Sequence, residues 1–234
     1  MSLVPSVRSS NIDGYMVYPV KKDCCCSSWL EERWQALTTI FPPKSFADQV
    51  FADLAARYSE DARYYHNLNH IQKMLKLSFE YKHLAQDWTA VQFAIWFHDA
   101  IYAAGAADNE QQSAQLARCC CEAFQLSPKT ILKIEKLIIA TQHRSEPPKD
   151  MDCSLLVDLD LAILGAGRAE YAAYAQAVRQ EFGHVPDVDF IQGRFAVLFA
   201  FNQRKQIYQL EPFGERFERP ARKNIAWELA NLKP

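Results

Sequence analysis

The sequence predicts an all-α protein built as a single-domain helical bundle. Only 7 of its 234 residues are glycine, and long stretches are rich in the strong helix formers Ala, Leu, Gln, Glu, Lys and Arg. Apolar residues recur at helical spacing, and no segment sustains the alternation typical of strands. Residues 1–26 lack this periodicity and are predicted to form a flexible leader, followed by one domain over 27–234.

Apolar spacing and capping residues predict the helices of the first half. The expected elements, in order, are a helix that carries Trp29, Leu30, Trp34 and Leu37 and ends before Pro42, a helix capped by Ser45, a helix capped by Asn69, and a helix that begins with a capping box of Thr89 and Gln92.

The second half is predicted in the same way. One helix begins at Asp108 and runs to about Phe124, and the next runs from Pro128 to about Thr141. Residues 146–149 are expected to be a loop, and 155–164 form a short apolar segment. Helices are expected over 168–182, 187–209 and 220–232.

Composition argues against several classes of protein. A net charge of -2 gives no electrostatic case for binding a nucleic-acid polymer or an acidic membrane. No apolar run approaches the roughly 18–20 residues that span a bilayer, and the N-terminus lacks the features of a signal peptide. The expected location is the cytoplasm, where the 7 cysteines, mostly in triplets at 24–26 and 119–121, would stay reduced.

A His-Asp pair lies inside an apolar run over 91–102, where Gln92 is the one other polar residue. This uniform hydrophobicity predicts burial of the run. A buried carboxylate such as Asp99 is costly unless it is paired, hydrogen-bonded or bound to a cation. The adjacent His98 suggests that the partner of Asp99 is a metal ion.

Further candidate ligands occur in other apolar helical segments. His70 shares a helical stripe with apolar residues, and either Asp158 or Asp160 provides a second carboxylate. Two imidazoles and two carboxylates suit one divalent metal ion, whose identity stays open among Mn, Fe, Co, Ni, Zn and Mg. Such an ion would act as a Lewis acid that activates water.

The order of these residues resembles the HD-domain superfamily of metal-dependent phosphohydrolases, in particular a bacterial branch of it. The resemblance covers about 28–232 and rests on four motifs, at 65–71, 97–102, 108–114 and 158–165. It implies a helical bundle of the HD type with His70, His98, Asp99 and Asp160 as the metal ligands. Asp160 is preferred to Asp158 because the last ligand of the family usually precedes a Leu-rich stretch. One departure is Ala103, where relatives often carry Asp.

Other residues are candidates for catalysis and substrate binding. Glu110, His143 and His66 are expected to position water, orient a ligand or contact the substrate, although an acid such as Glu110 also suits a helix N-terminus. A phosphate group would need cationic partners, for which the candidates are Arg194, Arg63 and Arg144.

The sequence therefore predicts a metal-dependent phosphohydrolase for a small phosphorylated molecule, with a nucleotide as one option. A regulatory protein that binds metal or nucleotide without turnover is an alternative, motivated by Ala103 and the unusual cysteines. A di-iron oxygenase is a weaker alternative, because only His143 occupies the interval where such centres place two further histidines. The oligomeric state is open, with a homodimer as one option.

Overall fold

The computed structural model describes residues 11–12, 15–16, 27–41, 43–143 and 150–232. It confirms the all-α prediction. Apart from helices and turns, the described part holds one two-residue antiparallel pair, in which Asn11–Ile12 lies beside Tyr15–Met16 with Ile12 opposite Tyr15. Most of the predicted leader at 1–26 lies outside the described residues.

The helices of the first half are α1 (Ser27–Thr38), α2 (Lys44–Arg57), α3 (Leu68–Glu80), α4 (Trp88–Phe97) and α5 (Asn109–Ala123), with a 3-10 turn at Lys82–Leu84. Those of the second half are α6 (Pro128–Ala140), α7 (Met151–Leu161), α8 (Arg168–Glu181), α9 (Asp187–Gln203), the short α10 (Glu211–Phe213) and α11 (Arg219–Asn231). A 3-10 turn at Ala162–Gly165 follows α7, and a π turn at Gly214–Glu218 joins α10 to α11.

Helix α4 is the centre of the core. It packs against α3, α5, α6 and α7, and Phe93, Trp96 and Phe97 are fully or almost fully buried. Trp34 of α1 meets Trp96 edge-on at 5.4 Å and donates its indole N–H to the carbonyl of Ala47 at 2.8 Å. These contacts explain why α4 is apolar on every face: it is surrounded by other helices.

Three predicted helix starts are wrong by a few residues. Asn67, not Asn69, caps α3, because its side chain accepts a hydrogen bond from the amide of Asn69 at 2.9 Å. Asp87, not Thr89, caps α4 through the amide of Ala90. Helix α2 begins at Lys44, so Ser45 lies inside its first turn. For α3 and α4 more than one capping residue was available locally, whereas α2 follows Pro43 and has no side-chain cap.

The later boundaries agree better with expectation. Helix α6 begins at Pro128, as predicted, and the side chain of Ser127 caps it. The apolar segment at 155–164 is the end of α7 and the 3-10 turn after it, and α9 ends at Gln203 rather than 209. The predicted loop at 146–149 lies outside the described residues.

The described cysteines are free thiols: Cys119 is exposed, and Cys120, Cys121 and Cys153 are buried. The triplet at 24–26 lies outside the described residues. Among the helices that the structure describes, none combines the length and the hydrophobicity that crossing a membrane requires.

Candidate metal centre

Three elements bring the predicted ligands together. His70 lies in the first turn of α3, Asp160 lies near the end of α7, and His98 and Asp99 follow the last residue of α4. The pair was expected within a helix, but it occupies the turn just beyond one. The helical backbone of His98 (φ -56°, ψ -37°) continues α4 for one residue and points the pair toward α3 and α7.

The ligand atoms lie close enough to share one ion. The Nε2 atoms of His70 and His98 are 3.1 Å apart, and Oδ1 of Asp160 is 3.2 Å from Nε2 of His70. One ligand atom from each of these three residues lies within 4.8 Å of the other two. Oδ2 of Asp99 adjoins this group, 3.0 Å from Nε2 of His98 and 3.8 Å from Nε2 of His70.

The chemistry of the group fits a cation. Nδ1 of His98 lies 3.0 Å from the carbonyl oxygen of Ile95, which can only accept, so Nδ1 carries a proton and Nε2 is the nitrogen that a cation would bind in place of a second proton. Nε2 of His98 then meets carboxylate oxygens of Asp99 and Asp160, which are acceptors too. Ligands about 2.0–2.2 Å from a common ion are separated by about 3–3.5 Å, close to the distances found here.

Charge shifts the pKa values of these groups strongly. Burial disfavours the charged form of Asp99, but the positive charge of His98 outweighs burial and holds the pKa of Asp99 below its usual range. Asp160 behaves alike: burial opposes its charge, while His143 and His70 keep its pKa low. Burial alone would lower the pKa of His98, but the charge of Asp99 raises it to about 9. Burial lowers the pKa of His70.

Asp158, the alternative to Asp160, has a different position. Its carboxylate accepts hydrogen bonds from the backbone amides of Gln209 and Leu210, at 2.8 Å each. Burial raises the pKa of Asp158 to about 7, against the opposing effect of these hydrogen bonds. Asp158 therefore anchors the chain that follows α9, and Asp160 is the carboxylate that the fold places beside His70.

His143 contacts the centre through Asp160. Its Nε2 lies 2.7 Å from Oδ2 of Asp160, and its backbone has the left-handed φ of 51°, which is uncommon outside glycine. Arg204 donates to the carbonyl oxygen of His143. Glu110 does not contact the centre directly. Its carboxylate accepts a hydrogen bond at 3.4 Å from the side-chain Nε2 of Gln142, the residue before His143.

A second buried group supports the centre and was missed in the sequence. Glu181, at the end of α8, accepts from the amides of Tyr65 and His66, from Nδ1 of His66 at 2.7 Å, and from the hydroxyl of Tyr102 at 3.0 Å. These bonds to His66 hold the pKa of Glu181 low although burial opposes its charge. A signal was present, since Glu181 continues the stripe of Tyr171, Tyr174 and Val178 on one face of α8.

His66 is fixed by this group. Its ring stacks on Tyr102 with centroids 4.2 Å apart, and Nδ1 is held by Glu181. Burial would lower the pKa of His66, but the charges of Asp99 and Glu181 raise it. Since Nδ1 is engaged, Nε2 is the nitrogen of His66 that can contact a ligand.

Arg63 binds the backbone of the turn that carries Asp99. Its guanidinium donates to the carbonyl oxygens of Asp99 at 2.6 Å and Ala100 at 3.1 Å, and Arg63 is only 7% exposed. These bonds fix the turn that carries Asp99, which is a different position from the substrate contact expected for Arg63. Arg144 lies outside the described residues.

A cavity of about 470 Å³ opens beside the centre. His66, His143 and Asp160 form the wall shared with the centre, and the rest of the wall is largely apolar, with side chains from α7, α8 and α9. We call this space the apolar cavity. Arg194 lines it, as expected for a substrate contact, but its guanidinium is bonded to both carboxylate oxygens of Glu228, at 2.7 and 3.1 Å.

His70 and Asp160 also line a second cavity, of about 430 Å³. Its other lining residues include Lys73 and Arg216, which form ion pairs with Glu170 and Glu80 respectively. Asp160 therefore borders both cavities.

Comparison of the chain with models of known protein families, with curated proteins and with solved structures gave no match in any of the three.

Proposed function

We propose that this chain is a metal-dependent phosphohydrolase that cleaves a small phosphorylated molecule with activated water. The observation that carries the proposal is a cluster of potential ligand atoms from His70, His98, Asp99 and Asp160, of which Asp160 also lines an open cavity. A cluster of this kind can hold a cation, and the cavity gives a substrate access to the Asp160 side of it. The resemblance of the motif order to the HD-domain superfamily supports the same conclusion.

A divalent ion bound here would polarise a phosphate oxygen and lower the pKa of water. The chain supplies the remaining functions. Glu181 accepts from Nδ1 of His66, so Nε2 can donate a hydrogen bond to an oxygen of the substrate when the ring is protonated, a form that the charges of Asp99 and Glu181 favour. His143 orients the carboxylate of Asp160. In this proposal His66 is the catalytic residue, His143 is a positioning residue, and Glu110 acts through Gln142.

The test combines metal content with turnover. Purified protein is loaded with Mn, Co, Ni, Zn, Fe or Mg, its metal is quantified, and hydrolysis of phosphomonoesters and mononucleotides is measured. We expect metal-dependent release of phosphate, and loss of both metal and turnover in His98→Ala and Asp160→Asn. His83→Ala is the matched control, because His83 is exposed in the 3-10 turn at Lys82–Leu84.

The alternatives predict other results. A regulatory protein would bind metal and show no turnover with any ion or ester in the panel. A di-iron oxygenase would purify with two irons per chain rather than one ion. An inert but demonstrably metal-loaded protein would overturn the hydrolase proposal.

A further inference from the structure

We infer that the substrate is a phosphomonoester of an apolar alcohol, such as an aryl or alkyl group, which occupies the apolar cavity while its phosphate lies at the metal centre. This inference rests on the proposed function and adds the substrate class. It follows from three observations: the apolar side chains of the cavity wall, the ion pair between Arg194 and Glu228, and the open space at Gly193 in α9.

The wall of the apolar cavity offers hydrophobic contact on most sides. Leu164, Val178, Phe182, Phe190 and Leu198 line it, and tyrosine rings complete it near the centre. The volume of about 470 Å³ falls within the range of about 300–1,000 Å³ typical of small-molecule sites. Burial of an apolar group in such a space is favourable by about 25 cal/mol per Å² of surface removed from water.

The charges at the wall do not suit a second phosphate. Arg194 is the one Lys or Arg among the described residues that line the cavity, and Glu228 neutralises it through two hydrogen bonds. Its remaining nitrogen donates to the hydroxyl of Tyr174 at 3.3 Å. Asp189, the acid of the wall that is not a proposed metal ligand, would repel an additional anion. A nucleoside diphosphate or triphosphate therefore fits this space poorly.

Gly193 leaves open space at this part of the cavity wall. Glycine within a helix costs about 1 kcal/mol relative to alanine, and Gly193 lies inside α9. No neighbouring atom explains its small size, because a Cβ atom at Gly193 would meet nothing within 4 Å. Since Gly193 lines the cavity, a larger side chain would project into the volume that we assign to the substrate.

The test compares esters that share one phosphate and differ in the alcohol. The metal-loaded protein is assayed with 1-naphthyl phosphate, hexyl phosphate, methyl phosphate, glycerol 3-phosphate and a nucleoside triphosphate. We expect kcat/KM for the naphthyl and hexyl esters to exceed that for glycerol 3-phosphate by more than tenfold. Gly193→Leu should raise the KM of the naphthyl ester by more than tenfold and leave the KM of methyl phosphate little changed. Val197→Trp, at the half-exposed edge of the cavity, should have the same two effects.

Two controls make the result decisive. Gly214→Leu also meets open space but lies outside the cavity, so it should leave the selectivity unchanged. Binding of naphthyl methylphosphonate and of its glycerol analogue is measured by calorimetry, so that preference is tested without turnover. Hydrolysis with similar kcat/KM for the apolar esters and for glycerol 3-phosphate would overturn this inference and leave the proposed function intact. If the naphthyl phosphonate binds more tightly than its glycerol analogue but no ester is hydrolysed, the proposed function is wrong and the proposed class of ligand stands.

Discussion

Nε2 of His143 lies 2.7 Å from Oδ2 of Asp160, while the other oxygen of that carboxylate faces His70. The two oxygens of Asp160 therefore have separate partners, one in the centre and one behind it. His143 holds this position with a left-handed backbone, and its buried Nδ1 has no hydrogen-bond partner in the described part of the chain. Backbone strain and unpaired buried polar atoms concentrate at functional sites, which fits a role for His143 beyond packing.

Replacing His143 should weaken metal binding without unfolding the protein. In His143→Ala, Asp160 loses the partner that fixes its rotamer, and loss of such a partner typically costs about 10–100-fold in metal affinity. The measurement is competitive metal titration against a chelating dye. His184→Ala, at an exposed site outside the centre, is the control. Unchanged affinity in His143→Ala would show that Asp160 needs no orienting partner.

Removing Glu181 should destabilise the protein far more than removing another acid of the same helix. Glu181→Ala leaves two backbone amides and the Tyr102 hydroxyl without their acceptor, which we expect to lower the free energy of unfolding by about 3 kcal/mol. Glu170→Ala breaks only the exposed pair with Lys73 and should cost less than about 1 kcal/mol. Urea denaturation of both variants measures the difference. Equal losses would contradict the role given to Glu181.

Gly165 should not tolerate even a methyl group. A Cβ atom there would lie 2.7 Å from Cβ of Phe217 and 2.8 Å from its carbonyl oxygen, so the chain after α10 would have to move. We expect Gly165→Ala to destabilise the fold by about 1–3 kcal/mol. Gly193→Ala, in open space within α9, should instead stabilise it by about 0.4–1 kcal/mol. Thermal unfolding compares the two, and the same sign of change in both would refute the packing argument.

Stability should depend on the ionisation of Asp150 in acid. Burial would raise the pKa of Asp150, but hydrogen bonds from Lys133 and Lys136 and from the amide of Cys153 hold it below the ordinary value of 3.8. A carboxylate with a lowered pKa stabilises the fold above its unfolded pKa and loses that contribution as pH falls below about 4.

The matched variant for this effect is Asp150→Asn, which keeps an oxygen that can cap α7 but loses the charge. We expect it to be about 1 kcal/mol less stable than the parent at pH 7, with the difference shrinking progressively as pH falls below about 4. Denaturant unfolding at a series of pH values measures this. A difference that stays constant from pH 7 down to about pH 2 would assign the effect to packing rather than to charge.

The residues of the candidate centre could be proposed from the sequence because their signal is local. An acidic residue in an apolar run, as at Asp99, violates the expected pattern, and such a violation marks a site in the amino-acid sequence alone. The choice between Asp158 and Asp160 was harder, because both lie in the same buried stretch of α7. Only the position of the chain around Gln209 shows which carboxylate faces the centre.

The supporting residues depend on contacts between distant parts of the chain. Glu181 bonds to the amide of Tyr65 across 116 positions, and Arg63 bonds to the carbonyl of Asp99 across 36. These two partners are backbone atoms, and the side chains that Glu181 also meets, His66 and Tyr102, lie 115 and 79 positions away, so the sequence near Glu181 carries no complementary residue. Two helix starts were predicted wrongly for a related reason. Near Asn67 and Asp87 several residues can cap a helix, and tertiary packing selects among them.

The contacts of Arg63 with the Asp99 turn bear on whether this turn would have to rearrange to take up an ion. The guanidinium also lies over the rings of Tyr58 and Tyr102, at 5.2 and 5.5 Å, so the turn is braced by the protein rather than by a ligand. An ion that binds as proposed would therefore meet a turn whose shape the protein already holds. Metal-loaded and metal-free molecules should accordingly show the same amide hydrogen exchange at 98–100.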